Sequence, residues 1–165
     1  MAARMIEWTK RYPILSIEDP AGQYDWKTMA AVNAAIGSHV QLIGDDVLVT
    51  NAARVEAAAK AGVCNAALIK VNQVGTVTEA KAALDAAVAH GWGALVSARS
   101  GETEDVTIAH LATGWNAGQL KVGSFTRSER MAKWNEVLRI EEAMGADAEF
   151  AGASAFFAPV AQALA

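Results

Sequence analysis

Five short apolar stretches of this chain each run out into residues that can hold ions or move protons. These are Glu18 and Asp19, Asp45 and Asp46, Lys70 and Asn72, Ser97 and Arg99, and Lys121. Carboxylates on neighbouring strands suit a hard cation such as Mg²⁺, which takes oxygen ligands and keeps part of its water shell. Two lysines and an arginine facing such an ion suit an anionic substrate, a carboxylate or a phosphate. Lys70 is the most telling of the set. It sits in the run Ala66-Ala67-Leu68-Ile69-Lys70-Val71-Asn72-Gln73, and a lysine in apolar surroundings is costly unless its ammonium is paired or its pKa falls. A lowered pKa is what a lysine acting as a base requires. Near a strand end, Lys70 could instead reach solvent along its own methylenes. The similar strand ends on either side of it favour a shared rim over isolated solvated charges.

Such a rim needs elements that bring five strand ends together, and the chain has them. Residues 2–12 read as a helix that Pro13 stops, and residues 14–20 as a strand that ends at Pro20. Asp25 can cap a helix over 26–36 closed by Gly37, and a strand follows over 40–46. Thr50 or Asn51 caps the next helix, which Gly62 ends before the lysine strand over 66–73. Thr76 and Glu79 have the spacing of a capping box for a helix over 77–90, with a strand after it over 94–99. The turn 100–105 opens a helix with Glu102, Glu104 and Asp105 in its first turn, where the helix dipole favours acids. A short strand over 120–123 precedes the longest helix, 127–144, which begins with a second capping-box spacing at Thr126 and Glu129 and closes at Gly145. The tail, 150–165, is weakly patterned.

The strand centres Leu15, Leu42, Leu68, Leu95 and Leu120 lie roughly 26 residues apart, a strand–helix beat that gives a parallel sheet with right-handed crossovers. The fold class is therefore α/β, with about five parallel strands in (βα) units. The ion-holding residues fall at the C-terminal ends of the strands, the rim on which β/α barrels carry their active sites.

Composition narrows the function classes. The 165 residues are enough for one domain with a real core, and at 53% hydrophobic and 19% charged the chain is rich in alanine. The net charge of −4, with no basic stripe, gives no reason to expect a nucleic-acid partner. No apolar run approaches the ~20 residues a membrane span needs. Arg4, Glu7, Lys10 and Arg11 near the N-terminus are unlike a signal peptide, so a cytoplasmic protein is expected. Cys64 reads as a buried structural thiol. His39, His90 and His110 read as surface or capping residues, Trp26, Trp92, Trp115 and Trp134 as packing anchors, and Glu141-Glu142 as a solvated face.

Several blocks of the chain resemble the enolase (phosphopyruvate hydratase) family in order and spacing. They are Ser16-Ile17-Glu18-Asp19-Pro20, Gly44-Asp45-Asp46 with Val49-Thr50-Asn51, Leu68-Ile69-Lys70-Val71-Asn72-Gln73-Val74-Gly75, Ser100-Gly101-Glu102-Thr103-Glu104-Asp105, and Arg127-Ser128-Glu129-Arg130. The likeness spans residues 12–152 of one domain, 1–165, and implies part of the family's C-terminal β/α barrel. It also implies the glycolytic dehydration of 2-phosphoglycerate to phosphoenolpyruvate with Mg²⁺. On that resemblance Glu18 and Asp45 are metal ligands and Lys70 is the proton-abstracting base. Lys121 meets the substrate carboxylate, while Arg99 and Ser100 hold the phosphate.

Two departures from the family are visible. Ala98 stands where the family has a histidine close to the phosphate, which leaves three readings open: weaker binding of the same substrate, a related phospho- or phosphono-acid, or a non-catalytic scaffold. The family's N-terminal domain and early barrel strands have no counterpart in this chain, nor do the third metal carboxylate and the acids opposite the lysine. Five strands cannot close a barrel built from eight. An open half-sheet is then expected to leave an apolar inner face uncovered and two edges unpaired, and to self-associate or be completed by another chain. Alternatively, the helix over 2–12 and the tail fold across that face.

Overall fold

The computed structural model describes residues 1–156. The elements follow as α1 (Ala2–Arg11), β1 (Ser16–Glu18), α2 (Trp26–Ile36), β2 (Gln41–Gly44), α3 (Ala52–Lys60) and β3 (Ala66–Lys70). After them come α4 (Val71–Val74), α5 (Val77–Ala89), β4 (Gly93–Ser97), α6 (Thr107–Gly114), β5 (Gly118–Leu120) and α7 (Ser128–Met144). The five strands lie side by side in chain order, all parallel. The architecture is a half-barrel of (βα) units, part of a TIM-type barrel.

Alternation along each strand sorts the side chains onto two faces. Leu42, Ala67, Ile69, Ala94 and Val96 point to the helices and join Met29, Val32, Ile36, Val55 and Leu84 in the main core. Ala58, Ala80, Ala83 and Ala87 are fully buried there, and their small side chains let α3 and α5 lie close to the sheet. The opposite face carries a separate buried cluster of Ile43, Ala66, Leu68 and Leu95.

That inner face is strongly curled. Gln41 on β2 and Gln119 on β5 exchange two side-chain hydrogen bonds of 3.0 Å each, although two strands lie between them. In a flat sheet the two positions would stand roughly 14 Å apart. Gly93 makes room for the bridge, since a Cβ there would lie 2.7 Å from Gln41 Oε1. The curl corrects one expectation. The apolar inner residues are buried, because the walls of the half-barrel approach one another and polar pairs lie below and above the apolar layer. The outer edges of β1 and β5 have no strand partner among the described residues.

Helix α1 does not cross the inner face. It packs on α2, with Ala2 and Ile6 against the helix-side core. Of the tail, a 3₁₀ turn over Gly152–Ala155 lies against β5, where the Ala155 carbonyl accepts from Gln119 Nε2 at 2.8 Å. Residues 157–165, over which a last helix was possible, lie outside the described residues.

Other expectations shift locally. The lysine strand stops at Lys70, and Val71–Val74 turn into a short helix. Strand β5 covers Gly118–Leu120, so Lys121 follows it, although the Lys121 N–H still reaches the Val96 carbonyl at 3.0 Å. Glu102, Glu104 and Asp105 precede α6 rather than forming its first turn, and Asp105 accepts from the Thr107 N–H at 2.8 Å. The Thr107 hydroxyl and this N–H together hold the Asp105 carboxyl below the usual aspartate range. The box at Thr76 and Glu79 forms, but the one at Thr126 and Glu129 does not. Arg127 takes a left-handed φ of 70°, and the Thr126 hydroxyl turns to Ser124 instead.

Asn65 ties the start of β3 to the second unit. Its Oδ1 accepts from the Leu42 N–H at 2.7 Å, and its Nδ2 donates to the carbonyls of Gly37 at 3.0 Å and Val40 at 3.1 Å. Asn65→Ala orphans these buried groups and is expected to destabilise the fold by about 2–4 kcal/mol. The check is a lowered urea midpoint with an unchanged slope.

Candidate active site

At the C-terminal ends of the strands the inner face opens into a cavity of about 350 Å³. Asp45, Lys70, Arg99, Ser100 and Lys121 all line it, along with Ala98. Glu18 reaches the group through Lys121, whose Nζ lies 2.6 and 2.5 Å from its two carboxylate oxygens. That ion pair joins the loop after β5 to the end of β1, the two edge strands of the sheet. The curl of the half-barrel makes it possible. Five of the six expected site residues therefore line one hollow, and Glu18 adjoins it through Lys121.

Lys70 is 6% exposed, and its ammonium donates to Asp45 Oδ2 at 2.5 Å. This pairing answers the cost of a lysine in an apolar run. The Asp45 Oδ1 atom is buried without a hydrogen-bond partner. Asp45 is held from behind by Asp19, whose two carboxylate oxygens accept from the backbone N–H groups of Asp45 at 2.9 Å and Asp46 at 2.8 Å. Burial raises the Asp19 carboxyl above the usual aspartate range, and those two bonds work against it. Burial likewise pushes the Cys64 thiol up to about 12, as suits an inert structural cysteine.

The backbone around the site is strained where it turns. Val49 and Thr50 both have left-handed φ, 49° and 53°. For β-branched residues this conformation is an outlier, costing on the order of 1–3 kcal/mol each. The turn is held by the Thr50 hydroxyl, which accepts from the Lys70 N–H at 3.0 Å and bonds to Gln73 Oε1 at 2.7 Å. Arg99 is fixed through its own N–H, which donates to Asn72 Oδ1 at 3.0 Å, while its guanidinium at the cavity mouth lies 3.4 Å from Asp46. Asn72 thus acts as a strut for Arg99. Asp19, expected among the rim acids, and Thr50, expected as a possible helix cap, act instead as supports, and Ser124 and Arg130 in the cavity wall have no role assigned from the sequence. Of the last two, only Arg130 stands in one of the quoted blocks.

His39, His90 and His110 are exposed and away from the cavity, the last two paired with Glu56 at 2.9 Å and Glu136 at 2.8 Å. Trp26, Trp92 and Trp115 pack against the core.

Comparison with known proteins agrees with this fold. The family model described as "Enolase, C-terminal TIM barrel domain" matches residues 1–158. The chain belongs to the enolase family. It is 54% identical over 147 residues to "Enolase" of Solanum lycopersicum, covering 89% of this chain and 33% of that protein. It is 50% identical over 158 residues to "Enolase 1" of Desulfitobacterium hafniense (strain Y51), covering 96% of this chain and 36% of that protein. The chain spans about a third of the length of the curated enolases it matches.

A divalent ion fits this cavity rim in donor type. Glu18 and Asp45 offer hard carboxylate oxygens, and the buried Asp45 Oδ1 accepts no hydrogen bond. In number the donors fall short, since among the described residues no three His, Cys, Asp or Glu side chains gather to hold a metal. Lysine ammonium groups neutralise both carboxylates instead.

Removing one member of the buried Lys70–Asp45 pair leaves the other charge stranded. Asp45→Ala is expected to cost about 3–5 kcal/mol of stability, and the double replacement Asp45→Leu with Lys70→Met is expected to recover most of it. Urea unfolding of both variants beside the wild-type chain checks the comparison.

Proposed function

We propose that this chain supplies the base and the anion-holding side of an enolase that dehydrates 2-phosphoglycerate to phosphoenolpyruvate with Mg²⁺, acting when completed by further barrel strands. The observation that carries the reading is the meeting of Lys70, Lys121, Arg99 and Ser100 with two carboxylates around a single cavity. Glu18 and Asp45 would hold the ion, which when bound supplies positive charge against the dianion that forms as the substrate loses its proton.

The chain's own residues do the rest. Lys70 must let go of Asp45 and be deprotonated before its amine can take the proton beside the substrate carboxylate. Lys121, once released from Glu18, meets the carboxylate, and Arg99 with Ser100 takes the phosphate at the cavity mouth. Loss of the proton and departure of the hydroxyl on the next carbon then give the enol product. These six residues include no acid to protonate that leaving group. A self-associating partner or a complementing chain would complete the site, and the open edges of β1 and β5 are where added strands would pair. Among the described residues no helix is long and apolar enough to cross a membrane, and a cytoplasmic location goes with the reading.

A second reading is a non-catalytic scaffold, favoured by Ala98 in the cavity wall and by the two-carboxylate donor set. A lyase for a related phospho- or phosphono-acid is a variant of the first. Mixing the chain with a candidate N-terminal portion, Mg²⁺ and 2-phosphoglycerate separates them by the ultraviolet absorbance of the enol product. Turnover that vanishes in Lys70→Ala is expected. No turnover at any ratio, with no heat of binding in calorimetry, would leave the scaffold. Ala98→His restores a donor to the wall and is expected to tighten binding of the phosphorylated ligand by about 1–3 kcal/mol, measured by the same calorimetry.

A further inference from the structure

Helix α7 carries two buried cations that the chemistry above does not use. Arg130 is 7% exposed and Lys133 is fully buried, and both spend their donors on backbone carbonyls. Arg130 donates through Nη1 to the Val122 carbonyl at 3.1 Å and through Nη2 to the Ser100 carbonyl at 2.7 Å. Lys133 donates to the Thr103 carbonyl, and the Trp134 indole N–H donates to the Ser124 carbonyl at 2.9 Å. Positions 130, 133 and 134 share one helix face. That face therefore grips two loops at once, the one after β4 and the one after β5.

These loops carry the anion-holding residues. Ser100, whose carbonyl Arg130 takes, follows Arg99, and Val122 follows Lys121. Arg130 also lines the cavity itself. The outer end of the second loop is braced as well, because Phe125 stacks on Trp134 with ring centroids 5.1 Å apart and an interplanar angle of 17°. A planar guanidinium with a fixed fork of donors can span two carbonyls at a set separation, which a lysine ammonium on a flexible stem cannot do.

We propose that Arg130 is a positioning residue that sets the spacing between Arg99–Ser100 and Lys121, and so sets the affinity of the cavity for a phosphate-bearing anion. The proposal rests on the reading of this cavity as an anion site. Its effect is on geometry, since an anion held from two loops loses contacts when either loop drifts by about an ångström.

Calorimetric titration of the whole chain with inorganic phosphate tests it, with circular dichroism reporting the folded fraction of each variant. The wild-type chain is expected to bind phosphate, and Arg99→Met to abolish the binding. Arg130→Lys keeps the charge but not the fork, and is expected to weaken binding at least roughly tenfold in the folded protein. Arg130→Ala is expected to weaken it similarly and to regain affinity when millimolar guanidinium is added, a rescue that general loosening of the fold would not give. Trp134→Phe preserves the stack, removes one donor and is expected to weaken binding less. If Arg99→Met abolishes binding while Arg130→Lys and Trp134→Phe bind as tightly as wild type, the positioning role is overturned and the anion reading stands. That outcome decides the matter even if Arg130→Ala does not fold. If the wild-type chain takes no phosphate, both fall.

Discussion

The structure depends on curvature. A parallel sheet of five short strands would, if flat, leave its first and last strands far apart, yet Lys121 beyond β5 touches Glu18 on β1 and Gln119 on β5 bonds to Gln41 on β2. The bend has a physical origin in the inner side chains. Gly93 and Ala66 leave space low on that face, the two glutamines bridge the gap, and a thin layer of Ile43, Leu68 and Leu95 fills the middle. Above that layer most of the lining side chains are polar, so charge collects where water can still reach it. Two ion pairs then balance the inner rim, Lys70 with Asp45 in the buried part and Lys121 with Glu18 closer to solvent.

This arrangement makes the enolase-type reading one of exchange. Each carboxylate that could hold an ion is engaged by a lysine that the proposed chemistry needs free. Bringing in both ligands replaces two internal pairs by contacts to the ligands, and the desolvation already incurred at Lys70 and Asp45 is not incurred again. The support behind the rim is rigid: Asp19 under Asp45, Thr50 under Lys70, Asn72 under Arg99. Strain at Val49 and Thr50 is tolerated because the Thr50 hydroxyl is pinned from two sides.

Much of the fold was legible in the sequence because its signals are local. Pro20, Gly37 and Gly62 punctuate the units, and the spacing of Leu15, Leu42, Leu68, Leu95 and Leu120 carries the parallel order. The rim was legible for the same reason, since polar residues at the ends of apolar runs need no tertiary knowledge to notice. The burial of the inner face was not, because it depends on curvature set by Gly93 and by a glutamine pair 78 residues apart. Helix α7 misleads most. Its pattern buries Lys133 and Arg130 and exposes Leu138 at 61%, the reverse of what residue type suggests, because the two cations answer loop carbonyls that only the fold supplies. The capping box at Thr126 fails on similar grounds, since the left-handed Arg127 turns that hydroxyl away from the helix start.

Zero-length carbodiimide cross-linking probes the central claim most directly, because it makes an amide bond only between an amine and a carboxylate already in contact. Peptide mapping of the monomeric product should recover a link between Lys121 and Glu18, the residues at opposite edges of the sheet. Peptides in which Glu18 is joined only to other lysines, or not joined at all while other ion pairs react, would mean that the strand ends do not share one hollow.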